Sequence, residues 1–523
     1  MAVTHVQLGG ELQGRSIFGS SRNRLERIGM WSTLAVLVVA QLMVMRWSWT
    51  VLLGAVLLAT TVFVWSPRPS FGHKSVVGMI AIPLRRRWNR RMKTLDTVGG
   101  EAAEAAEGNV PHLPAAVGTL RGFEIELRPG AEHPGRVAVL RQRIHDQTQF
   151  TMVLEFRAQQ SGVVDGLEGL RNHAGWAKFQ AVMARQGSLA RHLQPVARIV
   201  PFDPADHVQW LIDALPDNAP EILVRSYAEL VDGVISEQEQ NRTWLAIGVP
   251  ASREFYAAAD RVVLPDEMSE VSDRERADAR TAVVLATELR RIISAGRANG
   301  FSFRELDERR LAAVTRSLQD PDQPLDRLEG ADRFSMWLPW IGSESSRYLV
   351  IEGSQKRWYT RTAVVPRDGF AAGELPVDML VPLLTGVNPA VVRTVSTHVT
   401  VVPATTARAE ARDDLTMDRS AVQQRAKEVS DGTSEAQLTA SQRRLEDLQP
   451  GSGVHGAEWA LAVTIQAPDL EELERAVNAI EEAAAESHIS NLDWQDHAHH
   501  LAMPLTLPLA TGVRRRKKKW LPT

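Results

Sequence analysis

Side chains able to do chemistry are thinly spread along this 523-residue chain. Cysteine is absent, which removes thiol nucleophiles, disulfides, Cys-ligated zinc and iron–sulfur clusters. The densest group of metal-ligand types is Asp493, Asp496, His497, His499 and His500 in the string LDWQDHAHH. Helical or extended geometry brings at most two of these imidazoles together, so the string reads as a histidine-rich edge rather than a zinc site. A phosphate-cradling loop needs Gly, four residues, then Gly-Lys-Ser/Thr. The nearest string is Gly72-His73-Lys74-Ser75, with His73 in place of the second glycine and Arg68 in place of the first. Neither H-E-x-x-H nor G-x-S-x-G occurs, and Gly342-Ser343-Glu344-Ser345-Ser346 reads as a loop. Trp337, Trp340, Trp358 and Trp459 read as core or interface packing. The sequence therefore assigns no catalytic residue, no cofactor and no metal ligand, and the expectation is a non-enzyme.

What the chain does concentrate is charge, segment by segment. Residues 1–93 hold 13 basic and 2 acidic side chains, 94–513 hold 41 and 61, and 514–523 hold 6 and none. The first block surrounds two apolar runs, 28–45 (IGMWSTLAVLVVAQLMVM) and 49–65 (WTVLLGAVLLATTVFVW), neither of which contains an ionisable group. Each is about long enough to span a hydrocarbon core, and only Arg46-Trp47-Ser48 separates them. They read as a transmembrane hairpin over 28–65, with Trp31, Trp47, Trp49 and Trp65 near the interfaces. Arg15, Arg22, Arg24 and Arg27 precede the hairpin and a larger cationic set follows it, so the positive-inside bias puts both ends in the cytoplasm. The expected location is the inner membrane, with two helices and a cytoplasmic body.

After the hairpin, VVGMIAIPLRRRWNRR reads as an interfacial segment. In it Arg85, Arg86, Arg87, Arg90, Arg91 and Lys93 reach anionic lipid, and Trp88 sits at headgroup depth. The tail cations Arg514, Arg515, Arg516, Lys517, Lys518 and Lys519, followed by Trp520-Leu521, have two candidate acceptors: anionic lipid, the one favoured at this point, or an acidic partner surface. DNA is a weaker third, because the acidic body repels a duplex.

The elements that carry these groups follow from periodicity. Residues 1–27 form a basic N-terminal segment, 66–116 a basic juxtamembrane stretch and linker that includes EAAEAAEG (101–108), 117–330 one α+β domain, 331–513 a second, and 514–523 the tail. In the first domain, strands at 123–127, 136–140 and 150–156 make an antiparallel meander. Helices follow at 166–184, 220–239 and 273–298, and strands at 197–202 and 243–249. The second has strands at 348–352, 358–365, 391–402, 459–466 and 489–494, helices at 377–384 and 470–485, and a long polar helix over 405–448, broken near 431–433. The class is α+β, with ferredoxin-like mixed sheet units.

The basic entry into a short-turn hairpin, the strings RWYTRTAVVPRDGF (357–370), HVTVVPATTARAEARDD (398–414) and LDWQDHAHHLAMPLTLPLATGV (492–513), and their order resemble the conjugation-associated membrane proteins of actinobacteria. That family is similar in turn to the N-terminal, non-motor half of TraC-type ATPases of type IV secretion systems, where a segment like LAMPLTLPLATG leads into the motor. The resemblance implies a non-enzymatic inner-membrane subunit of a conjugative apparatus. Its partners would be lipid, a separately encoded ATPase and other membrane subunits in an oligomeric complex, without sequence-specific nucleic-acid contact. Two other readings stay open: an EccE-like component of a type VII secretion membrane complex, and a membrane-anchored enzyme with a dispersed site.

Overall fold

The computed structural model describes residues 5–8, a few helical positions between 32 and 64, 76–99 and, with interruptions, 113–511. The apolar runs of 28–65, apart from those few positions, the linker 101–108 and the tail 514–523 lie outside the described residues. Among the described residues no helix is long and apolar enough to cross a membrane.

The protein is an α+β chain organised on one large antiparallel sheet. Strand β1 (His5–Leu8) is followed by helix α1 (Val76–Arg91) and β2 (Asp96–Thr97). Next come β3 (Thr119–Glu126), β4 (Arg136–Ile144), β5 (Gln147–Arg157), α2 (Gly166–Met183), β6 (His192–Pro201), α3 (Glu221–Ile235) and β7 (Glu239–Pro250). This half closes with α4 (Arg253–Asp260), α5 (Asp273–Ala298), β8 (Ser302–Glu305) and α6 (Glu308–Ser317). The second half contains β9 (Trp340–Ile341), β10 (Leu349–Glu352), β11 (Arg357–Val365), β12 (Gly373–Pro376), α7 (Val381–Leu384) and β13 (Val392–Val402). It continues through α8 (Ala404–Arg425), α9 (Thr433–Asp447), β14 (Gly456–Ala467), α10 (Leu470–Glu486), β15 (Asp493–Trp494) and α11 (His499–Ala502).

Thirteen strands join in the order β2-β9-β10-β11-β14-β13-β6-β7-β5-β4-β3, with β15 added on β11 and β8 on β5. The seam between the halves is the antiparallel pair β6–β13, so the parts on either side of residue 330 share one sheet. Outward from the seam the two directions repeat each other. β7, β5, β4, β3 on one side match β14, β11, β10, β9 on the other. β5 pairs with β4 along its first residues and with β8 along its last, and β11 divides itself between β10 and β15 in the same way. The register repeats too. Val153 faces Ala246, which faces Gln194; Thr362 faces Thr464, which faces Thr394. Each half thus runs strand, helix, strand, helical excursion, strand, helix, strand, and the excursions are α3 in one and α8–α9 in the other.

One sheet face is apolar because alternate residues of its strands are Val, Leu and Ile. In the first half Met152, Leu154, Leu245 and Ile247 pack under α2, α4 and α5, whose Phe179, Phe255, Leu285, Leu289 and Ile292 complete the core. Helix α5 starts cleanly because Ser272 and Glu275 form a reciprocal capping box. In the second half Leu461, Val463 and Ile465 lie under Leu473, Val477 and Ile480 of α10, which Asp469 caps.

The opposite face is buried and largely polar, lined by Thr151, Gln194, Arg198, Thr394, Ser396, His398, Thr362 and Thr464. It is covered by 503–511, where Pro504 and Pro508 cannot donate to a ladder and so keep the segment from pairing as a strand. Its carbonyls are satisfied by side chains instead. Gln194 Nε2 donates to Leu507 O (2.8 Å), Thr151 Oγ1 to Leu509 O (2.9 Å), Gln149 Nε2 to Ala510 O (2.6 Å) and His398 Nε2 to Leu505 O (2.7 Å). Leu507 and Leu509 fill the apolar space between these bonds.

Three sequence expectations are corrected. The helix expected over 405–448 is two antiparallel helices. They are clasped by Ser441 Oγ to Asp418 (2.5 Å), Arg444 to Asp414 (2.9 Å) and Arg408 Nε to Leu448 O (2.7 Å), with Ala407, Ala411 and Leu448 buried between them. The strand expected over 489–494 shrinks to Asp493–Trp494, since His488 adopts a left-handed φ of 56° and turns the chain. The helix expected over 377–384 forms only at Val381–Leu384.

Candidate functional site

Helix α1 carries the cations expected to meet a membrane surface, and the structure shows how it is oriented. Ile80, Leu84, Trp88 and Met92, spaced four apart, are each 56–63% exposed. At 3.6 residues per turn they form a stripe roughly 120° wide. Arg85, Arg87, Arg90, Arg91 and Lys93 are exposed as well, with Arg87 and Arg91 along one border of the stripe and Arg85 along the other. The opposite side, Ile82, Arg86 and Asn89, is half-buried against the body. Pro83 leaves the carbonyl four residues earlier without its helical donor, and Arg90 and Arg91 complement the dipole in the last turn. Lys93, at φ 52°, closes the helix in a left-handed turn in which Thr94 N donates to Asn89 O (3.0 Å).

Arg86 is the hinge pin of this arrangement. Its Nη2 donates to Gly342 O (2.6 Å) and to Ser345 O, in the loop after β9. Asp96 Oδ1 accepts from Ser343 N of the same loop (2.8 Å), and β2 pairs with β9 through Asp96↔Ile341 and Thr97↔Trp340. Gly342 is required there, because a Cβ would lie 2.6 Å from Leu95 O. Burial, then Arg90, hold the Arg86 guanidinium below its ordinary value. Of the six α1-region cations named from sequence, five face outward and Arg86 faces the body. The period that separates it, Ile82, Arg86, Asn89, is legible in the string, but its acceptors lie 256 residues on.

The histidine string is structural. His499 Nδ1 accepts from Thr362 N (3.2 Å) and its Nε2–H points at Asp496 (3.3 Å). Arg361 also bonds Asp496 (3.3 Å) and lies over the Trp494 ring. Burial lowers the His499 pKa; His500 is pushed down to about 4 by burial first, then by Arg86 and His499. Among the described residues no group of three or more His, Asp or Glu stands where it could hold a metal.

The groups that the sequence did not single out are those on the seam. His192, against Thr400 Oγ1 (3.1 Å), and His398 both have pKa values lowered to about 4. Burial dominates in each, and His398 and Arg191 add to it at His192. Arg393 is fully buried and forms a bidentate pair with Glu239 across the halves. Their signal was the alternation Thr394, Ser396, His398, Thr400 in a strand whose other side is Val; nothing local says that both sides are covered.

The remaining tail cations, Arg514 to Lys519, lie outside the described residues. The sequence matches no protein-family model, and no characterised protein matches it.

Proposed function

We propose that the chain is a non-enzymatic, membrane-anchored subunit of a conjugative, type IV secretion-like apparatus. It holds its acidic body on the cytoplasmic face of the inner membrane and docks a separate ATPase there. The observation that carries the membrane half of this reading is α1. A seated helix with an exposed apolar stripe bordered by arginines matches a leaflet, where acyl chains take the stripe and headgroups take the guanidinium groups. Five cations contribute about 1 kcal/mol each near an anionic surface. The helix is already formed and pinned through Arg86, so little ordering entropy opposes contact.

Topology supports the same reading. β1, before the apolar runs, pairs with β12, and β2, after them, pairs with β9. Chain on both sides of 28–65 therefore returns to the same half of the body, as two crossings require. The repeated strand order agrees with ferredoxin-like units as the scaffold. The docking role rests on the resemblance in 357–370, 398–414 and 492–513.

Reporter fusions at residue 100 test the topology: a cytoplasmic reporter is expected to be active there, and activity only in an exported reporter contradicts the reading. Affinity purification of the full chain from its own cells is expected to recover a conjugative ATPase; recovery of type VII secretion components instead would move the assignment to that system.

A further inference from the structure

Helix α3 leaves an apolar face without cover from any described residue. Leu223, Tyr227 and Leu230, at i, i+4 and i+7, share that face, with Leu223 and Leu230 63% and 62% exposed; Ile222 on the flank is 77% exposed. A lone 15-residue helix is marginal in water, so a face of this kind calls for a partner. Its charge narrows the choice. The helix holds Glu221, Glu229 and Asp232 against Arg225 alone, and Arg225 is already paired with Glu221 (2.8 Å). An anionic leaflet repels such a helix, and a second α3 would set like charges together.

The complementary chemistry is present in the chain itself. Residues 514–521 read RRRKKKWL, six cations followed by two apolar anchors. Described chain ends at Thr511, just past Ala510, whose carbonyl meets Gln149 beside Gly248 near the end of β7. Helix α3 lies before Glu239, at the start of that strand, about 30 Å away at 3.3 Å per residue. From Thr511 to Trp520 a fully extended chain spans about 30 Å at most, leaving no length to round the body. We infer that α3 is the receptor for the basic C-terminal tail of a second copy of this chain. Trp520 and Leu521 pack on Leu223 and Leu230, and the tail cations meet the carboxylates of α3. The contact is heterologous, head to tail, and repeats into a ring or a filament according to the rotation between copies. It stands independently of the conjugative assignment.

The absence of cysteine makes the test direct. Full-length Leu230→Cys and Trp520→Cys proteins are purified separately in a neutral detergent, mixed and mildly oxidised, with Leu223→Cys as a second receptor position. The expected result is a disulfide-linked dimer that forms in the mixture. Its yield falls about tenfold when Arg514 to Lys519 are replaced by serine, because the charge complementarity that speeds and holds the encounter is gone. The inference is overturned by no product in the mixture at either receptor position. It is equally overturned if Leu230→Cys alone dimerises as readily as the mixture, which would make α3 its own partner. A chain carrying both cysteines that links only to itself, or a tail that binds anionic vesicles while never linking to α3, also contradicts it, the last assigning the tail to lipid.

Discussion

The two halves of the sheet follow one plan but differ in what they hang between their second and third strands. In the second half the excursion is α8–α9, a hairpin that buries Ala407, Ala411 and Leu448 against itself and pairs Asp414 with Arg444 and Asp418 with Ser441. In the first half it is α3, a single helix with no mate among the described residues. The hairpin satisfies its own apolar surface; the single helix displays it. The second half also receives the chain flanking the apolar runs, through β1, β2 and α1. One half thus carries the attachment toward the membrane and the other carries a free recognition face. Charge tells the two displayed helices apart: α1 is bordered by arginines, α3 by carboxylates.

If the halves are one body, acid should break both together, because titratable groups sit on the seam. His192 and His398 have folded pKa values of about 4 against 6.5 unfolded, so the unfolded chain binds more protons in that window. Stability is full above about pH 6.5 and falls by about 1.4 kcal/mol per pH unit for each histidine as pH drops toward 4. Urea unfolding at pH 7.5, 6 and 5 should show midpoints falling in one transition. His398→Gln, which keeps a donor for Leu505 O, should reduce that slope by about half. Two separate transitions would show that the halves are independent.

The Glu239–Arg393 pair offers a sharper cut at a single point. Glu239→Gln leaves a fully buried guanidinium without its carboxylate and is expected to cost about 3 kcal/mol in urea unfolding at neutral pH. A loss below about 1 kcal/mol would mean that the pair is an exposed contact of little weight.

Arg86→Ala should loosen α1 without unfolding the sheet, at a cost of about 2 kcal/mol for hydrogen bonds made by a charged donor. Faster amide exchange is expected at Ser343, whose amide lies in the loop held by Arg86 and Asp96, with unchanged exchange in β6 and β13. Uniform acceleration across the sheet would instead make Arg86 a general stability residue.

Much of the scaffold was legible in the sequence. Strict alternation marked β4, β5, β13 and β14, and the apolar period and capping box marked α5 within a residue of its ends. The duplication was not legible, because strands equivalent by register share pattern rather than residues: Val153 stands where Thr362 does, and Ala246 where Thr464 does. The polar face was hidden for a related reason. A Thr or Gln in an alternating strand reads as solvent-facing unless the covering segment is known, and here that cover is an irregular, proline-containing stretch more than 300 residues from Gln194. The cations of α1 were found from composition alone, whereas the inward turn of Arg86 depended on a loop far along the chain.

The most direct test of the central claim compares the two displayed helices in one membrane. Nitroxide labels at Leu84→Cys and Leu230→Cys, in the full chain reconstituted into anionic nanodiscs, report collision with oxygen, which concentrates in lipid, and with a nickel chelate, which stays in water. The account predicts that position 84 lies in lipid, about 5–10 Å into the headgroup and acyl boundary, and that position 230 stays in the aqueous phase. Equal nickel accessibility at the two positions would contradict it.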